Sequence, residues 1–387
     1  MAEKINISEL IAHQLYLHRL ETGLVNSVVT TGLSDTYKAI RAILNDKGIP
    51  TTPKQLEALE AAISKAIRSN NSWSMVTDEL NQVAIYEAGV TGKVVAELTA
   101  VAAVSDKKII DYVNQAFMSL ESGSKAQAGL WPQFVQASID SQTKQINDIL
   151  RTGYAREQTL YQVGRTIRET FEGTIKRDAD TLARTGFAHF TNTSRDAWAD
   201  SNADLDLYAH AIFTFDNRIS PTCKFLSTQK TVWKQGDPKM PKFPAHFNCR
   251  SFYTWLPKGF SPEGTRAAVG GQSGDEAKEA FEKRENNLDK RRNNPNMKGH
   301  TASQVRYRGR KDSNIFKAGQ VRADTELESW MKSQPSWFID DNLGVTKGKL
   351  FRSGEFRLES FYDVTGKPLT LKQIEQRHPK KWLKVIG

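Results

Sequence analysis

Residues 208–216 read YAHAIFTFD, and at this point the texture of the chain changes. Apolar and polar positions alternate, with β-branched and aromatic residues among them, which is the pattern of a half-buried strand. Everything before about Leu205 reads as helix, so this stretch decides between an all-helical protein and a mixed one. Two neighbours extend the reading. KFLSTQKTVWKQG (224–236) has a polar turn at Ser227 to Lys230 between apolar flanks, as a hairpin would. RSFYTWLP (250–257) is a further strand, stopped by Pro257. The expected fold is therefore α+β and predominantly α-helical. It has an N-terminal bundle of long helices, a small antiparallel β-hairpin module, and a small C-terminal α+β module or arm.

Toward the N-terminus, the helices carry their own punctuation. Ser8 is placed to cap a first helix with Ile7, Leu10, Ile11 and Leu15 on one side. In TPKQLEALEAAISKAI (52–67), Thr52 is a cap, Pro53 takes the first turn and Gln55 completes a capping box. Leu56, Leu59, Ile63 and Ile67 then form one stripe, and Gly48 closes the helix before it. GVTGKVVAELTAVAAVSDKKIIDYVNQAF (89–117) is apolar on too many sides for a surface helix and belongs in a bundle centre or an interface. FVQASIDSQTKQINDIL (134–150) sets Val135, Ile139, Gln142, Ile146 and Ile149 on a narrow seam, with Gly153 as its stop. TLYQVGRTIRETF (159–171) aligns Leu160, Val163, Ile167 and Phe171, and a further helix runs from about Arg177 to the end of DAWADSN.

Toward the C-terminus, glycine, serine and proline dominate KGFSPEGTRAAVGGQSGDE (258–276), the composition of a linker or flexible arm. A basic helix, AKEAFEKRENNLDKRR, is expected next, then a segment broken by Asn and Pro. KLFRSGEFRLESFYDV (349–364) reads as strand-like within a tryptophan-bearing module. The chain accordingly divides into 1–149, a helical N-terminal region; 150–257, the mixed module; 258–322, a flexible basic linker or arm; and 323–387, a C-terminal module.

Bulk properties narrow the function classes. The chain has 387 residues, 43.5 kDa and a net charge of +10. Between Glu282 and Arg322 twelve Lys or Arg face four Asp or Glu, which points to a polyanion or an acidic protein face. There is no apolar run of membrane-spanning length, and the N-terminus lacks the features of a signal peptide. Assembly in a reducing cytoplasm is the expectation, and two cysteines exclude a multi-disulfide scaffold.

Those cysteines sit in DNRISPTC (216–223) and PAHFNCR (244–250). Cys223, His246 and Cys249 are soft and borderline donors that suit zinc, with Asp216 or His210 as candidates for a fourth ligand. Ser220 and Ser251 stand where second knuckle cysteines would complete the usual pattern. Three other readings stay open on the residues alone. A disulfide would close a loop of about 27 residues for about 3 kcal/mol. A Cys–His nucleophile would need an orienting third residue. Plain packing would have His246 and Asn248 satisfy turn backbone groups.

DNRISPTC…LSTQKTVW…PKFPAHFNCRS resembles the phage head morphogenesis family, the Mu F-like minor head (minor capsid) proteins. The resemblance is carried by Asp216, Arg218, Ser220, Pro221, Cys223, Trp233, Pro244, His246, Asn248, Cys249 and Arg250, and by Ala183, Arg184 and Thr185 in the helix before them. It covers about residues 150–257. Ile219 replaces a usual threonine, Gly186 a usual glutamate, and the hairpin lacks an Asp-Gly turn. The resemblance implies a structural minor component of tailed-phage heads, located in the virion and in the host cytoplasm during assembly. Expected partners are the portal protein, the major capsid or scaffolding protein, and further copies of itself, with the helical region 1–149 expected to bind portal or self-associate. It implies no shared catalytic activity and no membrane. Arg184, Asp216 and Arg218 read either as a partner surface or as a helix-to-sheet tie through paired hydrogen bonds.

The basic arm is then expected to face packaged double-stranded DNA. Lys290, Arg291, Arg292, Arg306, Arg308, Arg310 and Lys311 would contact phosphates, with Tyr307 able to stack on an unpaired base. The alternative is an effector enzyme or nuclease in the C-terminal module, delivered with the genome. Its candidates are Asp340, Asp341, Glu355, Glu359, His300 and His378, which form no recognisable acid–base or metal constellation. A zinc-ribbon regulator would want a full ligand set and a recognition helix. GVTGK (89–93) is too short for a phosphate loop.

Overall fold

In a computed structural model the chain forms a mainly helical α+β protein, described over residues 3–6, 8–25, 29–70, 72–122, 125–272 and 316–387. In order, the elements are β1 (Glu3–Asn6), α1 (Ser8–Leu24), α2 (Thr30–Lys47), α3 (Pro53–Arg68), α4 (Ser72–Ala96), α5 (Asp106–Gln115), β2 (Met118–Ser122), β3 (Lys125–Gly129), α6 (Trp131–Ala155) and α7 (Leu160–Thr170). A single wide turn (Phe171–Ile175) joins α7 to α8 (Lys176–Ser201). Then follow β4 (Leu207–Ile212), α9 (Pro221–Leu226), β5 (Val232–Lys234), β6 (Phe252–Pro257), β7 (Phe260–Glu263), β8 (Thr265–Gly271), β9 (Phe316–Arg322), α10 (Leu327–Lys332), α11 (Ser336–Leu343), α12 (Val345–Arg352), α13 (Leu371–Arg377) and α14 (Pro379–Val385). No helix among the described residues is long and apolar enough to cross a membrane.

Two compact units result. One comprises Ala12–Ala211 and Val232–Gly259; the other Met1–Ile11, Ile212–Thr231 and Phe260–Gly387.

The first unit is built on the stripes the sequence announces. Thr52 accepts from the Gln55 N–H, and the Gln55 side chain answers to the Thr52 N–H, closing the capping box of α3. Thr159 and Gln162 do the same for α7. Gly48 ends α2 at φ 67°. Leu59, Ile63, Ile67, Ile146, Leu150, Val163, Ile167 and Phe171 then meet Ile40 and Leu44 in one core, with Ile139, Ile149, Leu56 and Leu160 packed on its rim. Gly153 is not a stop: α6 runs on to Ala155, and a Cβ at 153 would lie 2.6 Å from Val163. The glycine allows α6 and α7 to approach closely. In the apolar stretch 89–117, residues 101–105 leave helical geometry and Ala102 and Ala103 are exposed, so the burial there belongs to α4 and α5 on either side.

α8 is the axis of this unit, buried along most of its length against α4, α5 and α6. Gly186 faces the fully buried ring of Trp131, and a Cβ there would fall 2.5 Å from it. Trp131 stands edge-on to Phe190 and Trp73 and donates to Thr77 Oγ1 at 2.9 Å. His189 is buried beneath the C-terminal end of α5, and burial pushes its imidazole down to about 4, so it is neutral at physiological pH.

Strands β5, β4 and β6 form one sheet in that order, β4 antiparallel to β5. The expected hairpin at 224–236 is different. Ser220 and Pro221 start the short helix α9, and only Val232–Lys234 is strand, because a Ser-Pro pair is a helix-start signal.

The second unit corrects two further readings. The stretch read as a linker carries β7 and β8, and β8 pairs antiparallel with β9 over seven residues. Its anchor is Arg266, whose guanidinium lies 3.9 Å from the Phe215 ring centroid and donates to the carbonyls of Phe213 and Thr325. The strand-like segment 349–364 is instead the end of α12, a loop and a short 3₁₀ turn at Leu358–Phe361, with Leu350, Phe351, Phe356, Leu358 and Phe361 all buried. Its apolar spacing fits either geometry, and an aromatic core settles it as helix and turn. Lys224 is buried and donates to the carbonyl of Asn342 at the end of α11. The stripe expected of Ile7, Leu10, Ile11 and Leu15, and the basic helix expected after Gly271, lie outside the described side chains and residues.

Replacing Gly186 by alanine is expected to lower stability by about 1–3 kcal/mol through overpacking. Glutamate, larger and charged, should cost more. Urea denaturation followed by circular dichroism reads the difference, and an alanine variant as stable as the parent would contradict the packing described.

Candidate functional site

PAHFNCR is a turn laid against α8. The Cys249 N–H donates to the His246 carbonyl at 3.1 Å, and Asn248 takes the left-handed conformation at φ 57°, which asparagine tolerates better than most residues. Each end of the turn is fixed. On one side the Glu121 N–H of β2 donates to Ala245 O at 3.0 Å, and the Phe247 ring sits edge-on to Phe134. On the other, the Asn248 N–H donates to Thr185 Oγ1 at 3.0 Å and its amide to Thr181 Oγ1 at 3.3 Å. Thr185 can accept because its own hydroxyl hydrogen goes to Thr181 O at 2.7 Å.

α8 continues this service along the chain that follows. Asn192 donates to Ser251 O and accepts from the Tyr253 N–H, Arg195 donates to Tyr253 O at 2.9 Å, and Asp196 accepts from the Trp255 indole at 3.3 Å. The Ala-Arg-Thr helix and the Asn-Cys-Arg turn, over sixty residues apart in the chain, are thus joined directly by Thr185 and Asn248.

The His246 ring contacts the Phe247 carbonyl through Nδ1 at 2.7 Å. A carbonyl only accepts, so Nδ1 carries the proton and Nε2 keeps the lone pair of the neutral ring. Burial disfavours the imidazolium, but hydrogen bonding to Cys249 and its charge outweigh this and raise the histidine above its ordinary value. Cys223 and Cys249 are buried thiols, not a disulfide. Ser220 caps α9 by accepting from the Cys223 N–H at 3.0 Å, which is the use of the position expected for a second knuckle ligand. Cys223 belongs to the second unit and His246 and Cys249 to the first, and among the described residues these three are a group that could hold a metal ion. Neither Asp216 nor His210 joins it. The donor chemistry suits a thiophilic ion.

The remaining singled-out residues separate. Asp216 accepts from the Arg218 N–H at 2.8 Å, an Asx turn, and the exposed Arg218 guanidinium lies 4.0 Å from its other oxygen. Arg184 pairs with Glu21 at 2.5 Å, not with the turn. Arg250 is exposed. Asp340 pairs with Arg352 and Glu355 with Lys384. Lys290, Arg291, Arg292, Arg306, Arg308, Arg310 and Lys311 lie outside the described residues.

Two features escaped sequence reading. Thr181, Asn192 and Arg195 hold the turn and β6, but a polar residue on a helix does not name its partner. Glu87 is buried between Arg195 and His13; the signal was a lone carboxylate in the apolar run VAIYEAGV (83–90).

No family model, curated protein or solved structure matches the chain.

Thr185→Val should cost roughly 1 kcal/mol, leaving the Asn248 N–H without its acceptor, while Thr185→Ser should restore most of it. Equal stability of the valine variant and the parent in chemical denaturation would mean that the hydrogen bond does not hold the turn.

Proposed function

We propose that this protein is a structural minor head component of a tailed bacteriophage, acting in head morphogenesis at the portal vertex. The observation that carries the reading is the Thr185–Asn248 bond. It joins the two separate sequence elements on which the resemblance to Mu F-like proteins rests, and makes them one rigid piece. The first unit supports the same reading. It is a helical body in which Thr185, Asn192 and Arg195 of α8 hold the backbone of the turn and of β6. On this proposal the chain turns over no substrate, and its basic arm faces packaged double-stranded DNA or an acidic inner capsid surface. Portal protein is the principal partner, with major capsid or scaffolding protein and further copies secondary.

Zinc is the ion proposed for Cys223, His246 and Cys249. Two thiolates and one imidazole match its preferences, and Phe247 O would orient the His246 ring as an outer-shell acceptor does. When bound, the ion would reinforce the turn and supply no step of a reaction.

Mass spectrometry of purified precursor and mature heads should find the protein at a fixed low ratio to the portal protein; its absence from both would overturn the proposal. Elemental analysis of the purified chain is expected to give about one zinc per chain, lost in Cys249→Ser. Metal-free protein with an unchanged fold would leave the turn held by hydrogen bonds alone and withdraw zinc.

A further inference from the structure

A second concentration of positive charge lies in the described part of the chain. Residues 364–387 contain six Lys or Arg and one Glu, half of the protein's net charge in a short segment. The structure shows how they are displayed. A capping box at Thr370 starts α13, and buried Ile374 fastens it to the unit. Pro379 starts α14 directly afterwards, and α14 buries none of its residues. His378 at the joint packs edge-on against buried Phe356, so the pair is firmly placed.

Ion pairing consumes little of this charge. Lys384 is engaged with Glu355. Lys367, Lys372, Lys380 and Lys381 are exposed and, among the described residues, meet no carboxylate within 4.0 Å. Their field is felt locally: His378 is held below its ordinary value by burial and then by Lys381 and Arg377. Within α14, Lys380, Leu383 and Lys384 fall on one stripe by helical spacing, with Lys381 beside it.

We propose that the α13–α14 pair is a phosphate-tracking surface whose ligand is double-stranded nucleic acid, bound through its backbone without sequence choice. Uncommitted lysines at loose spacing are what such binding needs, since each neutralised phosphate releases counterions and no base need be read. An acidic protein face is the competing ligand. It is disfavoured because Leu383 is the one strongly exposed apolar side chain of α14, whereas a stable protein interface buries about 800 Å² on each side around an apolar centre. The inference does not need the head assignment, since it rests on residues outside both the turn and the basic arm.

The test is a salt titration of binding to a random-sequence DNA duplex, using the full chain and following fluorescence anisotropy. Neutralising Lys372, Lys380 and Lys381 together to glutamine should flatten the log–log slope by about 0.9 for each phosphate left without its lysine, and arginine at the same positions should restore it. Neutralising Lys290, Arg291 and Arg292 in the arm gives a separate decrement, so the surfaces are scored independently. Leu383→Ser should leave the affinity unchanged. An unaltered slope in the triple glutamine variant, with its melting curve intact, overturns the proposal. Loss of duplex binding on Leu383→Ser alone, with the melting curve intact, also overturns it, since binding would then depend on the apolar side chain and not on the lysines. Absence of the protein from heads would remove the head reading while leaving this result standing.

Discussion

A buried carboxylate organises the first unit. Glu87 is 1% exposed in the middle of α4, receives Arg195 Nε at 2.6 Å on one oxygen and His13 Nε2 at 2.5 Å on the other, and so binds α1, α4 and α8 at a single point. Burial alone would push Glu87 up and discharge it. Arg195 and His13 reverse that, and the net shift is downward. An ionised carboxylate in such a place is tolerated only with fixed partners, and removing one partner of a buried pair typically costs about 3–5 kcal/mol. The rotation and height of α8 relative to α4 are set by this point. Arg195 then reaches past the carboxylate to Tyr253 O and packs on the Phe252 ring, so the same side chain that satisfies Glu87 also fixes β6.

That setting matters because α8 serves as a polar ruler for the chain after Asn248. Thr181, Thr185, Asn192 and Asp196 recur along one face of the helix, and they bond in order to Asn248, the Ser251–Tyr253 backbone and Trp255. The geometry closes. From residue 181 to 196 a helix advances about 22 Å at about 1.5 Å per residue, and from 248 to 255 an extended chain advances about 23 Å at about 3.3 Å per residue. Helix and strand run in step, two helical residues for each residue of strand. β6 lies at one edge of the β5–β4–β6 sheet, and the side chains of α8 satisfy backbone groups that a neighbouring strand would otherwise take.

Much of this body was legible in the sequence, for a definable reason. Capping boxes at Thr52 and Thr159 and the apolar seams of α3, α6 and α7 are local or periodic signals, and a helix carries them within its own residues. The exceptions are instructive. Gly153 and Gly186 looked like a stop and an anomaly, because close approach by Val163 and Trp131 is a property of the partner and not of the glycine. The Gly- and Ser-rich stretch after Lys258 forms strands because β9, from beyond residue 315, pairs with it and Arg266 pins it onto Phe215. The partners of the buried charges Glu87, Lys224 and Arg266 were illegible for the same reason: a sequence shows that a charge exists, never where its partner comes from.

The turn's construction also bears on what a metal would do there. In small zinc modules the ion supplies apparent binding energy on the order of 10–16 kcal/mol, and the peptide is unfolded without it. Here His246, Asn248 and Cys249 are positioned without an ion: by the turn's own backbone bond, by Thr185 and Thr181 from one side, and by the Glu121 N–H from the other. Each such bond contributes about 0.5–1.5 kcal/mol net, enough together to preorganise two donors in a turn held against a helix already locked by Glu87. An ion would therefore find its histidine and one thiolate already in place. Its binding would be governed by the chemistry of the donors, with little folding to drive. Such an ion would strengthen a part whose shape the hydrogen bonds already keep, whether or not the ion is present.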